Sequence, residues 1–241
     1  SGGGRGRWRL GGVVRAGTAR LTRDDHAQVL AAVARAETGT DGEIVTIVTE
    51  RSDSYHDAAL HYAIAAMLIV LALAAINPLA IETWLSGFTA GWDDAPDPRL
   101  LLGVILAAQA LVFLIVRFAL AYMPLRMALV PKATRARRVR RRAIQYFKVG
   151  AERRTTARVG ILLYLSRDER MAEIVADEAI HRAVPAERWG DAMAALVAET
   201  RAGKPGAGMA AAVERIGAIL AETFPKTADD RNELPDRLIE L

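Results

Sequence analysis

The stretch Arg158–Ile180, RVGILLYLSRDERMAEIVADEAI, predicts the centre of the fold. Its two apolar segments, VGILLYLS and MAEIVA, are separated by the polar residues RDER, a pattern typical of two strands joined by a turn. A β-hairpin is therefore expected here.

The same stretch ends in two acids, Asp177 and Glu178, which follow the second predicted strand. Acids at strand ends can bind ligands, because ligands of α/β sheets collect at such ends. An acid just before a helix can instead accept hydrogen bonds from the free N–H groups of the first helical turn. We favour this second role for Asp177, whose carboxylate is expected to cap the helix EAIHRAV.

A third strand, EIVTIVT, is predicted at Glu43–Thr49, far upstream of the hairpin. A helix precedes it, with Thr22 and Asp25 spaced as in a capping box and an expected end near Ala36. One strand cannot form a sheet, so the partners of this strand must be the two that follow later in the chain. The domain is therefore expected to be split by an insertion.

Two apolar runs form this insertion. The first has no charged residue from Tyr62 to Ile76, and the second extends from Leu100 to Met123 with one charge, Arg117. Each is long enough for a helix to cross a hydrocarbon core about 30 Å thick. Buried core helices of a soluble protein are the alternative, but two such runs joined by a short polar loop favour a transmembrane hairpin with spans at about 61–81 and 100–123.

The charges around these runs predict the orientation of the hairpin. The loop between them carries four acids and one base, the acids being Glu82, Asp93, Asp94 and Asp97. Residues 124–158, in contrast, contain twelve lysine or arginine residues and one acid. The positive-inside rule places this basic flank in the cytoplasm. Because two spans return the chain to its starting side, both termini are expected in the cytoplasm of a bacterium, with the hairpin in its inner membrane.

The basic segment Arg135–Phe147, RARRVRRRAIQYF, is predicted to be a helix with Ala136, Val139, Ala143 and Phe147 along one face. Its arginines can bind anionic lipid headgroups or, alternatively, the phosphates of a nucleic acid. The position beside a span favours lipid, and the few aromatic residues argue against a platform for stacking bases. The expected lipid-contacting residues are Arg135, Arg137, Arg138, Arg140, Arg141 and Arg142.

Composition excludes several kinds of site. The 241 residues include no cysteine, which excludes disulfides, thiolate metal sites and cysteine nucleophiles. The four histidines lack the spacing of a metal motif, and no cofactor motif is obvious. A divalent cation, Ca²⁺ or Mg²⁺, is the one cofactor that acids near strand ends could bind. The weak candidates are Asp41, Asp177 and Glu178, with Asp53 as a further acid at a strand end.

The predicted architecture is α/β, with a small mixed sheet in an α/β/α sandwich and a two-helix transmembrane hairpin inserted in it. The segments are a flexible Gly/Arg-rich tail (1–20), the first part of the domain (21–60), the hairpin (61–123), a basic juxtamembrane helix (124–150) and the rest of the domain (151–241).

Several segments together resemble the TPM domain family, in particular its membrane-associated bacterial branch. They are GTDGEIVTIVTERSDSY, RRVRRRAIQYF, the opening stretch Arg158–Ile180, Trp189 shortly after it, and RNELPD. The resemblance covers about residues 22–241 and implies an α/β/α sandwich with a small sheet. It also implies one of two functions, a phosphatase or a binding and assembly factor.

The sequence departs from the family pattern just before the second strand. Many TPM domains carry a DNG-like stretch there, whereas this chain has TTARVG at Thr155–Gly160, in which only the glycine matches. A divalent ion needs several oxygen ligands, so the missing acid weakens the phosphatase hypothesis.

We therefore expect a membrane-anchored interaction, assembly or envelope-maintenance module, more readily than an enzyme. The alternative is a metal-dependent phosphatase, for which no catalytic residue can be assigned. The expected partners are anionic membrane lipid and another protein, with a homo-oligomer possible in principle and nucleic acid disfavoured. A transporter is also disfavoured, because the spans contain no acid.

Overall fold

The structure, a computed structural model, describes residues 21–88, 98–151, 159–227 and 238–240. The predicted flexible tail (1–20), residues 89–97 of the acidic loop, the TTAR segment and RNELPD lie outside the described residues. The helices are α1 (Arg23–Glu37), α2 (His56–Ile76), α3 (Pro78–Phe88), α4 (Pro98–Ala119), α5 (Met123–Leu129), α6 (Lys132–Ala151), α7 (Glu178–Ala183), α8 (Trp189–Arg201) and α9 (Pro205–Thr223), with a 3₁₀ turn at Ala186–Arg188.

Four strands of the described residues form one mixed sheet, and three of them are the strands that the sequence predicts. They are β1 (Glu43–Thr49), β2 (Gly160–Ser166), β3 (Met171–Ala176) and β4 (Leu238–Glu240), in the spatial order β3-β2-β1-β4. Strand β1 is parallel to both β2 and β4, whereas β2 and β3 are antiparallel. The predicted β-hairpin is thus formed by β2 and β3. Strand β1 lies between β2 and β4 in the sheet.

The fourth strand was not predicted. The C-terminal residues suggest an extended tail, but Leu238, Ile239 and Glu240 pair with Thr46, Ile47 and Val48 of β1. A strand of three residues gives almost no periodic signal of its own. It is therefore recognised only from its pairing with β1.

The chain divides into two compact units. The domain unit contains the described residues up to Asp53 and those from Lys132 onward, and the hairpin unit is Ser54–Pro131. The domain unit holds the whole sheet, so β1 and β2 pair across the inserted hairpin unit.

Helices cover both faces of the sheet in the domain unit. One core joins β1 and β2 to α1, α8 and α9, with side chains such as Val33, Leu163 and Val213 buried in it. On the opposite face, Ile47 and Leu162 pack against α6. This arrangement explains why β1 and β2 are apolar on both faces, and it confirms the predicted α/β/α sandwich.

The predicted capping box at the start of α1 is present. The hydroxyl oxygen of Thr22 accepts a hydrogen bond from the N–H of Asp25 at 3.1 Å. The Asp25 carboxylate in turn accepts the N–H of Thr22 at 2.8 Å. Two otherwise free donors are thereby satisfied, which fixes where the helix begins.

Helices α1 and α9 approach each other closely at glycine residues of α9. A Cβ added to Gly217 would lie 2.5 Å from the Cβ and 2.9 Å from the Cα of Ala36. Gly206 lies similarly close to Asp25, at the other end of the contact. The two backbones can meet at these points only because α9 has no side chain there.

One buried hydroxyl on β1 has no hydrogen-bond partner among the described residues. Thr46 is fully buried on the sheet face covered by α1 and α9, and its Oγ1 is unpaired. Replacing Thr46 with valine keeps the β-branched shape and removes the unpaired hydroxyl. We expect the free energy of unfolding to rise by about 1 kcal/mol, since an unpaired buried hydroxyl costs roughly 1–3 kcal/mol.

Hydrogen exchange of the β1 and β2 amides in the full chain measures this change. Thr49→Val is the matched control, because Thr49 is also buried on β1 but its hydroxyl donates to the carbonyl of Arg51 at 3.1 Å. That variant should exchange faster than the wild type. Equal effects of the two substitutions on exchange would contradict the conclusion that the Thr46 hydroxyl is unpaired and the Thr49 hydroxyl is paired.

The hairpin unit contains two helices long and apolar enough to cross a membrane, α2 and α4. They pack against each other. The first ends at Ile76, because Asn77 and Pro78 follow and Pro78 begins α3. The segment 61–81 thus contains parts of two helices.

A buried arginine holds the two ends of the hairpin unit together. Arg126 of α5 is 4% exposed, and it donates to the carbonyls of Leu120 and Ser54, both at 2.7 Å. Leu120 directly follows α4, so the guanidinium lies at the negative end of that helix dipole. The chain enters the hairpin unit at Ser54 and leaves it after α5. The Arg126 side chain therefore joins the first residue of this unit to its last helix.

Candidate functional site at the carboxyl ends of β1 and β2

A buried polar cluster lies where β1 and β2 end side by side. We call Ser52, Tyr164, Ser166, Glu169 and Arg142 the carboxyl-edge cluster. Ser52, Tyr164, Ser166 and Glu169 are all at most 2% exposed. Because ligands of α/β sheets bind at the carboxyl ends of parallel strands, this is the edge at which a functional site is expected.

Glu169 connects the β2–β3 turn to the segment that follows β1. One carboxylate oxygen accepts the main-chain N–H of Ser52 at 2.9 Å, and the other accepts the hydroxyl of Ser166. The turn itself lies against the end of β1, because the N–H of Arg167 donates to the carbonyl of Thr49 at 3.1 Å. A buried carboxylate thus joins the end of β2 to the segment that follows β1.

Ser52 is held from two further directions. Its hydroxyl and the Tyr164 hydroxyl are 3.0 Å apart, and its carbonyl accepts the Nε–H of Arg142 at 3.0 Å. The next residue, Asp53, forms an ion pair with Arg138 of α6 at 3.1 Å. The last residues of the domain unit before the hairpin unit are therefore fixed to α6 and to the β2–β3 turn.

Burial raises the pKa of Tyr164 to about 12, with the hydrogen bond to Ser52 acting in the opposite direction. The Tyr164 ring lies 5.9 Å from the ring of Tyr146, and the Arg142 guanidinium lies 5.7 Å from the Tyr146 ring centre. At neutral pH the Tyr164 phenol is therefore protonated. It serves as a hydrogen-bonding partner of the Ser52 hydroxyl rather than as a base.

Sequence patterns gave little indication of this cluster. Glu169 lies in a polar turn, RDER, where acids are common for turn chemistry alone. Tyr164 looks like one more apolar residue of β2. Only the pairing of β1 with β2 brings Ser52 next to both of them.

The predicted metal candidates lie at the opposite end of the sheet. Asp41 precedes β1, and its two carboxylate oxygens accept the N–H and the hydroxyl of Thr227 at 2.7 and 2.9 Å. Glu178 forms an ion pair with Arg182 on the first turns of α7. Both acids bind neighbouring groups of the protein itself. Asp53, in contrast, lies beyond the carboxyl end of β1.

The prediction that the Asp177 carboxylate caps α7 is wrong. Asp177 occupies the N-cap position, but its side chain makes no capping hydrogen bond. Its carboxylate instead accepts the N–H of Gly160 at 2.8 Å, and its own N–H donates to the carbonyl of Gly160 at 3.0 Å. The β2–β3 register places these two residues opposite each other, so the carboxylate extends the ladder of the hairpin.

The predicted metal candidates are not grouped as the ligands of a divalent cation would be in the described part of the chain. Within the described ranges, no three aspartate, glutamate or histidine side chains come together in a way that could hold a metal ion. The carboxylates of Asp41 and Asp177 accept N–H groups of the main chain, which would compete with a cation for the same oxygens.

The six arginines predicted to contact lipid are divided between two sides of α6. Three of them bind groups of the domain unit: Arg138 binds Asp53, Arg140 binds Glu173 at 2.8 Å, and Arg142 binds Ser52. Arg135 is half-buried, and its Nε has no partner among the described residues. Arg137 and Arg141 are exposed.

The apolar face of α6 differs in part from the predicted one. Val139, Ala143 and Phe147 pack against the sheet as expected, and Tyr146 joins them. Ala136, however, is exposed.

Burial raises the pKa of Glu173 on β3, although the positive charge of Arg140 opposes the shift.

Comparisons with known proteins agree with this architecture. The NMR structure of the BA42 protein from the psychrophilic bacterium Bizionia argentinensis is similar, with a TM-score of 0.53 and 17% sequence identity. The similarity covers 92% of this chain and 96% of that protein, and at this identity it shows the fold alone. No curated protein matches the sequence significantly.

A family model also matches the sequence. The model of the TPM domain matches residues 122–219, which run from the start of α5 into α9 and include β2, β3 and the basic helix α6. This match confirms, for residues 122–219, the resemblance to the TPM domain that the sequence shows.

Proposed function

We propose that the chain is an integral membrane protein whose hairpin unit anchors a TPM domain at the cytoplasmic face of a bacterial inner membrane. In this proposal the domain acts as an interaction module in assembly or envelope maintenance. The observation that carries the proposal is the exposure of the apolar side chains on α2 and α4.

These two helices bury little of their apolar surface within the protein. Leu68 and Leu73 of α2 are 60% and 62% exposed, and Leu106 and Phe118 of α4 are 66% and 72% exposed. A core helix of a soluble protein would bury such side chains, whereas lipid chains would cover them in a membrane. The exposed apolar belt therefore supports a membrane-spanning pair.

The charge distribution supports the orientation. Helix α6 contains no acid, and α4 carries its single internal cation, Arg117, in its last turn. Basic residues next to the end of a span favour the cytoplasmic side. This charge distribution supports a cytoplasmic location for the domain unit, which contains α6.

An interaction role accords with how the acids near the strand ends are used. Asp41, Asp53, Glu169 and Asp177 each bind a group of the domain unit itself. A catalytic carboxylate must be able to reach a substrate atom or a metal ion. The geometry thus favours structural roles for these acids and leaves the outer surfaces of the domain for a partner.

The membrane assignment predicts resistance to extraction. In washed bacterial membranes, the full chain should remain in the pellet after alkaline carbonate or urea and should be released only by detergent. Leu106→Arg, in the middle of α4, should reduce the inserted fraction, because an arginine near the centre of a span costs about 2.5–3.5 kcal/mol on an insertion scale.

Leu106→Phe is the matched control and should insert normally. Release of the wild-type chain by carbonate would contradict the membrane assignment.

The orientation has its own test. Because the sequence contains no cysteine, a single cysteine can be introduced as the only reactive thiol. A cysteine at Ala194 should react with a membrane-impermeant maleimide only after the cells are opened.

The interaction role is tested against phosphatase activity. Detergent-purified chain is assayed with a generic phosphomonoester in the presence of Ca²⁺, Mg²⁺ or Mn²⁺, and no metal-dependent turnover is expected. Turnover that disappears in Asp177→Ala, in a variant that remains folded, would replace the interaction role with an enzymatic one.

Crosslinking in cells tests the interaction role directly. A photo-crosslinker on the exposed residues of α8 should give one reproducible adduct under our proposal, and no adduct would count against it.

A further inference from the structure

One face of α6 carries cations that the domain does not use. We call Arg137, Arg141 and Lys148 the outer stripe. They follow one another at intervals of four and seven residues, so they lie along a single line on the helix, over roughly 16 Å at 1.5 Å per residue. All three are exposed, and they lie on the side of α6 opposite Val139 and Ala143.

The outer stripe differs from the inner arginines in its contacts. Arg138, Arg140 and Arg142 bind Asp53, Glu173 and Ser52 of the domain unit. In the part of the chain that the structure describes, no outer-stripe residue forms an ion pair, and Arg137 donates only to the hydroxyl of Thr134, at 3.3 Å.

The charges of the outer stripe are therefore available to an external anion. Arg137 and Arg141 are four residues apart, a spacing at which like charges destabilise a helix in isolation. A bound anion would remove this repulsion.

We propose that the outer stripe binds the anionic headgroups of the bilayer that the hairpin unit spans. This inference rests on the proposed function, because it requires a membrane close to the domain unit. Lys132 begins α6 only a dozen residues after Leu120, which directly follows α4 in the chain. Basic segments this close to a span attract acidic lipid.

The aromatic residues of α6 argue for lipid over nucleic acid. Tyr146 and Phe147 are the two aromatic side chains of the helix, and both pack against the sheet with Ile47 and Leu162. Binding of single-stranded nucleic acid relies on exposed aromatic rings that stack with bases. The outer stripe offers charge alone, which suits a headgroup surface.

A site-specific label on the full chain tests this inference. Gln145 is exposed beside the outer stripe, and Gln145→Cys provides the only thiol for an environment-sensitive fluorophore. The labelled chain is placed in nanodiscs of pure phosphatidylcholine or with about one-third phosphatidylglycerol. We expect a blue-shifted emission in the anionic discs only, and its reversal as salt screens the charges.

Substitutions then identify the residues responsible. The double variant Arg137→Gln with Arg141→Gln should lower the ratio of blue-shifted, lipid-contacting label to unshifted label about fivefold for each arginine removed. Arg201→Gln with Lys204→Gln removes the same charge from exposed positions at the end of α8 and should leave the ratio unchanged. A label at Ala194 should not respond to lipid charge.

Each alternative outcome is distinct. Identical emission in neutral and anionic discs, or equal effects of the two double variants, would overturn the inference. A shift caused by a DNA oligonucleotide in neutral discs, with none caused by lipid charge, would assign the outer stripe to nucleic acid instead. A chain that does not enter the discs contradicts the proposed function, and its recruitment to anionic vesicles then decides the role of the outer stripe separately.

Discussion

Replacing Gly217 with alanine is expected to lower the free energy of unfolding of the domain unit by about 2 kcal/mol, the middle of the range for overpacked cores. The new Cβ would lie 2.5 Å from the Cβ of Ala36, a separation at which one of the two helices must move. Helices α1 and α9 both pack on the sheet, so the displacement disturbs the larger of the two cores. The sign is opposite to that of an ordinary helical glycine, where alanine stabilises by about 0.5–1 kcal/mol.

Gly190→Ala supplies the matched control for this prediction. Gly190 lies in α8, and a Cβ there would meet no other atom within 4 Å. Hydrogen exchange of the β1 and β2 amides in the full chain reports the opening of the domain unit. Exchange should become faster in Gly217→Ala and slower in Gly190→Ala. Slower exchange in both variants would mean that α1 and α9 are not in close contact.

Replacing Glu169 with alanine is expected to cost about 3 kcal/mol of stability, since breaking a buried charged hydrogen-bond network costs roughly 3–5 kcal/mol. Glu169 is 2% exposed, and its loss leaves the N–H of Ser52 and the hydroxyl of Ser166 without their acceptor. The residues between β1 and the hairpin unit would lose one of their attachments to the β2–β3 turn. Local exchange at Ser52 and Asp53 should therefore increase more than exchange in the centre of β1.

The neighbouring acid of the same turn is the control. Asp168 binds Arg51 at 3.0 Å, but both side chains are about one-third exposed. Asp168→Ala should cost less than about 1 kcal/mol, because solvent-accessible ion pairs contribute little. Urea unfolding of the detergent-solubilised chain compares the two variants. Equal losses for Glu169→Ala and Asp168→Ala would show that the carboxyl-edge cluster does not stabilise the domain.

Residue patterns predicted the elements of the fold whose signals are local. The capping box at Thr22 and Asp25 and the apolar strands β1, β2 and β3 are all present where expected. The need of β1 for a partner correctly predicted that the sheet joins residues on both sides of the apolar insertion. These signals suffice because capping and strand burial depend on residues close together in sequence.

The remaining features depend on which residues meet across the fold. The Asp177 carboxylate binds the N–H of Gly160 instead of capping α7, because the strand register places Asp177 opposite Gly160. Which arginines of α6 are bound depends on the rotation of the helix against the sheet, and that rotation buries Tyr146 and exposes Ala136. The sequence gives no signal for Glu169, because its partner Ser52 follows β1, which meets β2 only in the folded domain.

The position of the hairpin unit between β1 and β2 has a consequence for biosynthesis. Residues 50–159 separate these strands, so β1 leaves the ribosome well before its main partner exists. The other edge of β1 is filled by β4, which follows β2 and β3 in the chain. The domain can complete its sheet only after both apolar helices have been made, so under the proposed membrane anchoring their insertion can begin while β1 is still unpaired. Protection of β1 during translation, by a chaperone or by transient contacts, thus becomes a requirement of this architecture.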